Sequence, residues 1–184
     1  MTKHKDKISI ITTFYNAEKF IYQCINSVNQ QIIDGFGVEY IIVDDKSQDK
    51  SREIVDHFIK TDGNKLIDFH LIEPEENLGC GGARKFGIDN ATGDYFMFLD
   101  ADDYYINRDF VSRAYKTIKD EHADVVEYGV LFNQQSGEQI NNSAQQKIVV
   151  TDPAHAEILL FKHNLIKFNV WSKIYTRAIV ETLP

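Results

Sequence analysis

The sequence predicts an α/β protein with a mostly parallel central sheet that is flanked by helices. Short apolar runs rich in β-branched residues predict the strands, and the segments between them carry apolar residues at helical spacing. Strands that alternate with helices of this length form parallel β-α-β units with right-handed crossovers. At 184 residues, the chain is long enough to form one domain of this kind with a substantial core.

The first half of the chain supplies most of the predicted elements. The predicted strands are residues 8–14, 38–43, 69–72 and 95–99. Helices are predicted over residues 17–30 and 83–90. A further helix is predicted between them, where Ser47 or Asp49 can cap the N-terminus and Ile54, Val55 and Phe58 form a buried apolar stripe. We expect the glycine-rich residues 77–82 to form a flexible loop.

The second half is less regular. Its predicted elements are a helix over residues 110–120, a strand over 123–132, a short strand over 148–150 and a helix over 151–161. Residues 133–146 are rich in Asn, Gln and Ser with almost no apolar anchor, so we interpret them as an exposed hairpin or loop. Residues 169–182 contain the only tryptophan, Trp171.

The most informative stretch is residues 95–105, where an apolar strand leads directly into Asp100, Asp102 and Asp103. Ligands of open α/β sheets bind at the carboxyl ends of the strands, which is where these acids lie. Neighbouring carboxylates repel one another, and a divalent cation shared with a phosphate would compensate them. The alternative is an acidic loop that is only solvated.

Other strands end in the same way, which favours a site. Asp44 and Asp45 follow the second predicted strand, and Tyr15 follows the first. The carboxyl ends of parallel strands share one edge of the sheet, so these side chains should converge. Arg84 comes after the glycines at the start of a predicted helix, where a cation and a helix N-terminus both favour phosphate oxygens. Taken alone, Arg84 also fits an ordinary surface helix.

Composition excludes several functional classes. The net charge of −8 argues against binding to nucleic acid. Two cysteines without a short spacing provide neither a disulfide framework nor a metal knuckle. The sequence has no apolar run long enough for a membrane span and no signal peptide, so we expect a cytoplasmic protein. The basic residues 3–7 leave peripheral contact with the inner membrane surface open.

Five motifs occur in order along the chain: TFYN (13–16), IVDDKSQDKS (42–51), NLGCGGARK (77–85), ATGDY (91–95) and FLDADD (98–103). Together they resemble the successive motifs of family 2 glycosyltransferases, and NVWSKIY (169–175) resembles a later segment of that family. The resemblance implies a GT-A (Rossmann-like) fold and a nucleotide-sugar donor, with UDP as the expected nucleotide. It also implies Mn²⁺ or Mg²⁺ as cofactor, and inverting transfer of a hexosyl or N-acetylhexosaminyl group to a glycan or lipid-linked acceptor.

The resemblance also implies roles for individual residues. Thr13, Tyr15, Asp44 and Asp45 would hold the nucleobase, Arg84 would lie near the base and phosphates, and Asp100 and Asp102 would contact the ribose and the metal-bound diphosphate. Asp103, Trp171 and Lys173 are candidates for the acceptor side. Trp171 can equally be a core residue beneath the C-terminal helix.

The resemblance has departures and limits. Thr13 stands where Pro is common in the family, Lys46 where Gly is usual and Lys85 where Asn is usual. The family places its catalytic base downstream of the Trp-x-Lys-x-Tyr segment, where only Glu181 is acidic in this sequence, so we expect the base to lie beyond Pro184. We accordingly expect residues 1–132 to be the donor-binding part and residues 133–184 to be the start of an acceptor part. A non-catalytic nucleotide-sugar binding module is the main alternative. A phosphohydrolase is disfavoured because Asp103 and Tyr104 follow the acidic pair on a late strand.

Overall fold

The computed structural model describes residues 5–129, 131–133, 139–141 and 170–182. The strands are β1 Lys7–Phe14, β2 Gly37–Asp44, β3 Ile67–Ile72, β4 Tyr95–Phe98, β5 Val125–Glu127, β6 Leu131–Asn133, β7 Gln139–Asn141 and β8 Lys173–Thr176. The helices are α1 Ile21–Asn29, α2 Ser51–Thr61, α3 Gly79–Asp89, α4 Phe110–Asp120 and α5 Arg177–Val180.

Within these residues, the main sheet has six strands in the order β3-β2-β1-β4-β8-β5. Strands β1 to β4 are mutually parallel, whereas β8 is antiparallel to both of its neighbours, β4 and β5. Strand β5 therefore has the same direction as β1 to β4. This arrangement confirms the prediction of a mostly parallel sheet flanked by helices. Strands β6 and β7 form a separate antiparallel pair.

Helices cover both faces of the sheet, as a parallel sheet requires. On one face, the buried side chains of α1, α2 and α4 pack against those of β1 and β2, including Ile8 and Ile10. On the other face, Ala83 of α3 and Val180 of α5 pack with Ile11, which points the opposite way along β1. The approach of α3 is close, because a Cβ at Gly87 would lie 2.7 Å from Ile11 Cγ2.

The structure corrects two of the sequence predictions. Residues 77–82 are not a flexible loop, because α3 begins at Gly79 rather than at residue 83. Gly79 has a φ of +69°, a conformation that glycine adopts readily, and the helix follows directly. The predicted strand 123–132 is divided into β5 and β6, with Gly129 between them. The predicted strand 148–150 and helix 151–161 lie outside the described residues.

A buried carboxylate connects the three central strands at the amino edge of the sheet. Glu39 of β2 is 2% exposed. Its Oε1 accepts hydrogen bonds from Ser9 Oγ at 2.6 Å, from the Thr92 N–H at 2.6 Å and from the Gly93 N–H at 3.0 Å. Its Oε2 accepts from Thr92 Oγ1 at 2.7 Å and from Lys7 Nζ at 3.4 Å. Ionised Glu39 therefore joins β1, β2 and the turn before β4.

This environment predicts a pH-dependent stability. Burial by itself raises the pKa of Glu39, but the hydrogen bonds from Ser9 and Thr92 and the charge of Lys7 outweigh it and lower the pKa from 4.5 to about 2. Because the folded-state pKa lies below the unfolded value, the stabilisation is present above about pH 4.5 and is lost as the pH falls towards 2. The loss should be roughly 3 kcal/mol.

Denaturant unfolding at a series of pH values tests this prediction. We expect Glu39→Gln to be less stable than the wild type at pH 7 and to lose less stability between pH 5 and 2. Glu53→Gln, at an exposed position in the first turn of α2, is the matched control. Parallel pH curves for the wild type and Glu39→Gln would contradict the assignment.

Candidate functional site

The loops after β1 and β2 form a cleft of about 480 Å³ at the carboxyl edge of the sheet. A cleft of this size suits part of a small organic ligand. It is lined by Thr13, Phe14, Tyr15, Asp45, Lys46, Gln48, Asn77, Gly79, Cys80 and Ala83. Of the residues predicted to hold a base, the structure therefore brings Thr13, Tyr15 and Asp45 together in one cleft.

Asp45 is the anchor of this cleft. Its side chain is 3% exposed, and its Oδ1 accepts a hydrogen bond from the Leu78 N–H at 2.7 Å. The Asp45 carbonyl accepts a second hydrogen bond from Asn77 Nδ2, also at 2.7 Å. These bonds fix the start of α3 against the end of β2. The remaining oxygen, Oδ2, makes no hydrogen bond to any residue that the structure describes.

Asp44 occupies a different environment from its neighbour. It is 1% exposed and does not line the cleft. Its Oδ1 accepts from the Ser47 N–H at 2.9 Å, and its Oδ2 pairs with Arg52 Nη1 at 3.3 Å. Both oxygens thus bind protein groups, and this geometry favours a supporting role for Asp44 over the expected contact with a base.

The loops after β1 and β2 hold each other in place. The Asn16 N–H donates to Ser47 Oγ at 3.0 Å, and Asn16 Oδ1 accepts from the Gln48 N–H at 2.7 Å. Asn16 has a φ of 53°, which is uncommon for a residue other than glycine. These hydrogen bonds fix the backbone beside Tyr15, which is 50% exposed and lines the cleft.

The acidic cluster lies two strands away, at the end of β4. Arg84 of α3 reaches Asp100 with an Nη2–Oδ1 distance of 2.5 Å, and both side chains are half-buried. The carbonyl of Asp100 accepts from the Asp103 N–H at 3.0 Å, which closes a turn, and Cys24 Sγ lies 3.5 Å from the same carbonyl. Arg84 is thus placed beside the carboxylates, in position to meet a phosphate.

The charge of the cluster is incompletely compensated within the protein. Burial, together with the charges of Asp102 and Asp100, raises the pKa of Asp103 from 3.8 to about 6. Asp102 makes no hydrogen bond or ion pair to any residue in the described part of the chain. Uncompensated carboxylates are a donor set that suits Mg²⁺ or Mn²⁺.

The arrangement suits a cation that is shared with a ligand. Among the described residues, no three His, Cys, Asp or Glu side chains are grouped closely enough to hold a metal by themselves. Magnesium is commonly bound by one or two carboxylates with substrate phosphates completing the shell. Asp102 and Asp100 Oδ2 would supply the protein's share of such a shell.

Strand β8 brings the candidate acceptor-side residues to the same edge of the sheet. Met97 of β4 pairs with Ile174 of β8 in antiparallel register, so Trp171 and Asp100 each lie three residues from that pair, towards the same edge. Trp171 is half-buried, which leaves its two interpretations open. Lys173 is buried, and its Nζ lies 3.9 Å from Glu127 Oε2 on β5. An acceptor contact by Lys173 therefore stays a prediction.

Sequence reasoning missed several residues of the site. Asn77 and Leu78 hold Asp45, and Lys46, Gln48 and Cys80 line the cleft. An Asn two residues before a glycine is a turn signal that points to Asn77, since its Oδ1 accepts from the Gly79 N–H. For Leu78, which acts through its backbone, the sequence gives no signal.

Comparison with known proteins identifies the family of this chain. The family model described as Glycosyl transferase family 2 matches residues 9–180. The chain belongs to this family. The glycosyltransferase GlyA of Streptococcus pneumoniae is 31% identical over 185 residues, covering 97% of this chain and 25% of GlyA. The poly(ribitol-phosphate) β-N-acetylglucosaminyltransferase TarS of Staphylococcus aureus is 30% identical over 176 residues, covering 95% of this chain and 28% of TarS.

Solved structures show the same fold. The crystal structure of S. aureus TarS 1–349 matches with a TM-score of 0.74 at 27% identity, covering 95% of this chain and 48% of that one. Its complex with UDP matches with a TM-score of 0.74 at 26% identity. The GT-A fold is thereby confirmed. The chain spans 48% of the glycosyltransferase EpsH of Bacillus subtilis, 25% of GlyA and 48% of the TarS 1–349 chain, which is about half or less of each.

The raised pKa of Asp103 gives a prediction for the metal-free protein. Asp102→Asn removes a neighbouring negative charge, so the ionised form of Asp103 becomes easier to form and its pKa should fall from about 6 towards the ordinary aspartate value of about 4. Carboxyl-carbon NMR shifts followed over pH measure this change. Asp109→Asn, at an exposed position before α4, serves as control. An unchanged Asp103 midpoint in Asp102→Asn would contradict the role of charge repulsion.

Proposed function

We propose that this chain binds a UDP-linked sugar. We also propose that its full-length protein transfers the sugar, with inversion, to a hydroxyl of a glycan or lipid-linked surface-polymer acceptor. The observation that carries the proposal is the spacing, along one edge of the sheet, of two groups of side chains that we call half-sites. The Asp45 cleft lies at the end of β2 and the Asp100–Asp103 cluster at the end of β4, with β1 between them. Two strand spacings amount to roughly 10 Å, which suits a base at one half-site and a diphosphate at the other.

The comparisons support the substrate class. TarS has been crystallised with UDP, and its name describes transfer of N-acetylglucosamine to poly(ribitol-phosphate). The present chain matches that structure over 95% of its own length. We therefore propose a hexosyl or N-acetylhexosaminyl donor and a polymer acceptor. Location on the cytoplasmic side, with peripheral contact at the membrane surface, stays a prediction.

The protein groups at the β4 half-site can stabilise a departing nucleoside diphosphate. When bound, Mn²⁺ or Mg²⁺ would neutralise charge that develops on the diphosphate as the glycosidic bond breaks. Asp102 and Asp100 would hold the cation. Arg84, oriented by Asp100, would donate to phosphate oxygens.

The acceptor hydroxyl must lose a proton as it attacks the anomeric carbon, and a general base usually accepts that proton. Asp103, Trp171 and Lys173 remain the acceptor-side candidates, and none of the described residues is assigned as the base. A non-catalytic nucleotide-sugar binding module remains the second candidate function. The two differ in one measurement, because a full-length protein that binds donor yet transfers no sugar to any acceptor would be such a module.

The first prediction of this proposal concerns the metal. Asp102→Asn should reduce the metal-dependent part of UDP binding by roughly 1–3 kcal/mol, the scale for losing one partner of a charged group. Calorimetry with and without Mn²⁺ measures that part directly. Asp56→Asn, an exposed change on α2, should bind UDP as the wild type does. Equal UDP affinity of the wild-type protein with and without metal would refute the proposed cation.

A further prediction separates the base from the phosphates. Asp45→Asn retains an oxygen for the Leu78 N–H but replaces the second carboxylate oxygen with an NH₂ donor. That donor cannot accept the ring N–H of uracil, so UDP binding should weaken by roughly 1–2 kcal/mol. Pyrophosphate, which lacks the base, should bind as it does to the wild type. Equal losses for both ligands would show that Asp45 does not read the base.

A further inference from the structure

Lys46, directly after Asp45, has an unusual backbone conformation for its residue type. Its φ is +69°, in the left-handed region that favours glycine, and the residue is one of those that line the cleft. A residue with a Cβ is disfavoured there, and such strain is often found at ligand sites. A turn that needed only this backbone shape would be served better by glycine, so the lysine side chain needs an explanation of its own.

Ion pairs hold the Lys46 ammonium at the rim of the cleft. Nζ lies 3.2 Å from Glu73 Oε1, just beyond the end of β3, and Glu73 Oε2 lies 3.3 Å from Arg52 Nη1. Arg52 in turn pairs with the buried Asp44. Charges thus alternate along Lys46, Glu73, Arg52 and Asp44. An ammonium has three donors, so the pair with Glu73 leaves donors for a ligand.

The position of Lys46 along the sheet edge decides which part of a nucleotide it can reach. Its partner Glu73 follows β3, which lies on the side of β2 away from β1 and β4. The carboxylates and Arg84, where a diphosphate would bind, lie on the opposite side, beyond β1. Lys46 is therefore at the far end of the cleft from the phosphates, next to Asp45.

We propose that Lys46 determines base specificity by donating a hydrogen bond to the O4 carbonyl oxygen of uracil, beside the ring N3–H that donates to Asp45. This inference rests on the proposed function. The pairing edge of uracil has carbonyl oxygens O2 and O4 on either side of the N3–H donor, and Lys46 with Asp45 complements O4 and N3–H. Cytosine presents an amino donor and a bare ring nitrogen at those two positions, so it mismatches both side chains. Lys46 thus selects uridine nucleotides over cytidine nucleotides.

The test compares UDP with CDP, in the presence of Mn²⁺, for the wild type, Lys46→Gly and Lys46→Met. CDP is measured by displacement of UDP. Lys46→Gly relieves the backbone strain and removes the donor, while Lys46→Met removes the donor and keeps the stem. Lys50→Met removes an equal charge from an exposed position four residues along the chain and is the control. Melting temperatures of both Lys46 variants should stay within about 3 °C of the wild type, since exposed ion pairs contribute little.

We expect both Lys46 variants to bind UDP about 3- to 15-fold more weakly, the scale of one hydrogen bond at a half-exposed position. CDP binding should be unchanged, so the preference for UDP falls by the same factor. Lys50→Met should retain that preference. Unchanged UDP binding by both variants, or equal weakening of UDP and CDP, would overturn the role of Lys46 while leaving the proposed function in place. Failure of the wild type to bind UDP would overturn both.

Discussion

The site depends on how α3 connects the ends of two strands that are not neighbours. At its start, the Leu78 N–H donates to Asp45 at the end of β2, and Arg84 then pairs with Asp100 at the end of β4. The six steps along the helix from Leu78 to Arg84 span roughly 9 Å, close to the roughly 10 Å between strands that are two places apart. The close contact of Gly87 with Ile11 of β1 holds α3 against the sheet between these two strand ends. One helix thus sets the distance between the two half-sites.

Carboxylates at the two edges of the sheet have pKa values that are shifted in opposite directions. At the amino edge, Glu39 is surrounded by hydrogen-bond donors and a lysine, and its pKa falls to about 2. At the carboxyl edge, Asp103 lies among other acids, and its pKa rises to about 6. The first environment stabilises the fold, because the negative charge is fully satisfied within the protein. The second leaves negative charge to be satisfied by something bound, which is the physical signature of a functional site.

Rigidity and specificity are divided between different residues of the same loops. Asn16, Ser47 and Gln48 link the loops after β1 and β2 through backbone and side-chain hydrogen bonds. The ion pair between Asp44 and Arg52 stabilises the loop after β2. Because these contacts fix the backbone, a change of side chain at the cleft can alter which ligand binds without moving the backbone of the two loops. Lys46 occupies such a position.

The sequence by itself determined strands β1 to β4, their parallel arrangement and the edge where the acids gather, because these follow from local patterns of apolar and acidic residues. It also determined the family, since the motifs occur in order. Only the tertiary structure distinguished Asp44 from Asp45. Two adjacent aspartates look alike in a sequence, but successive side chains point in different directions, and Arg52 and Leu78 decide what each one contacts. The early start of α3 and the position of the Lys46 side chain were likewise decided by partners distant in the sequence.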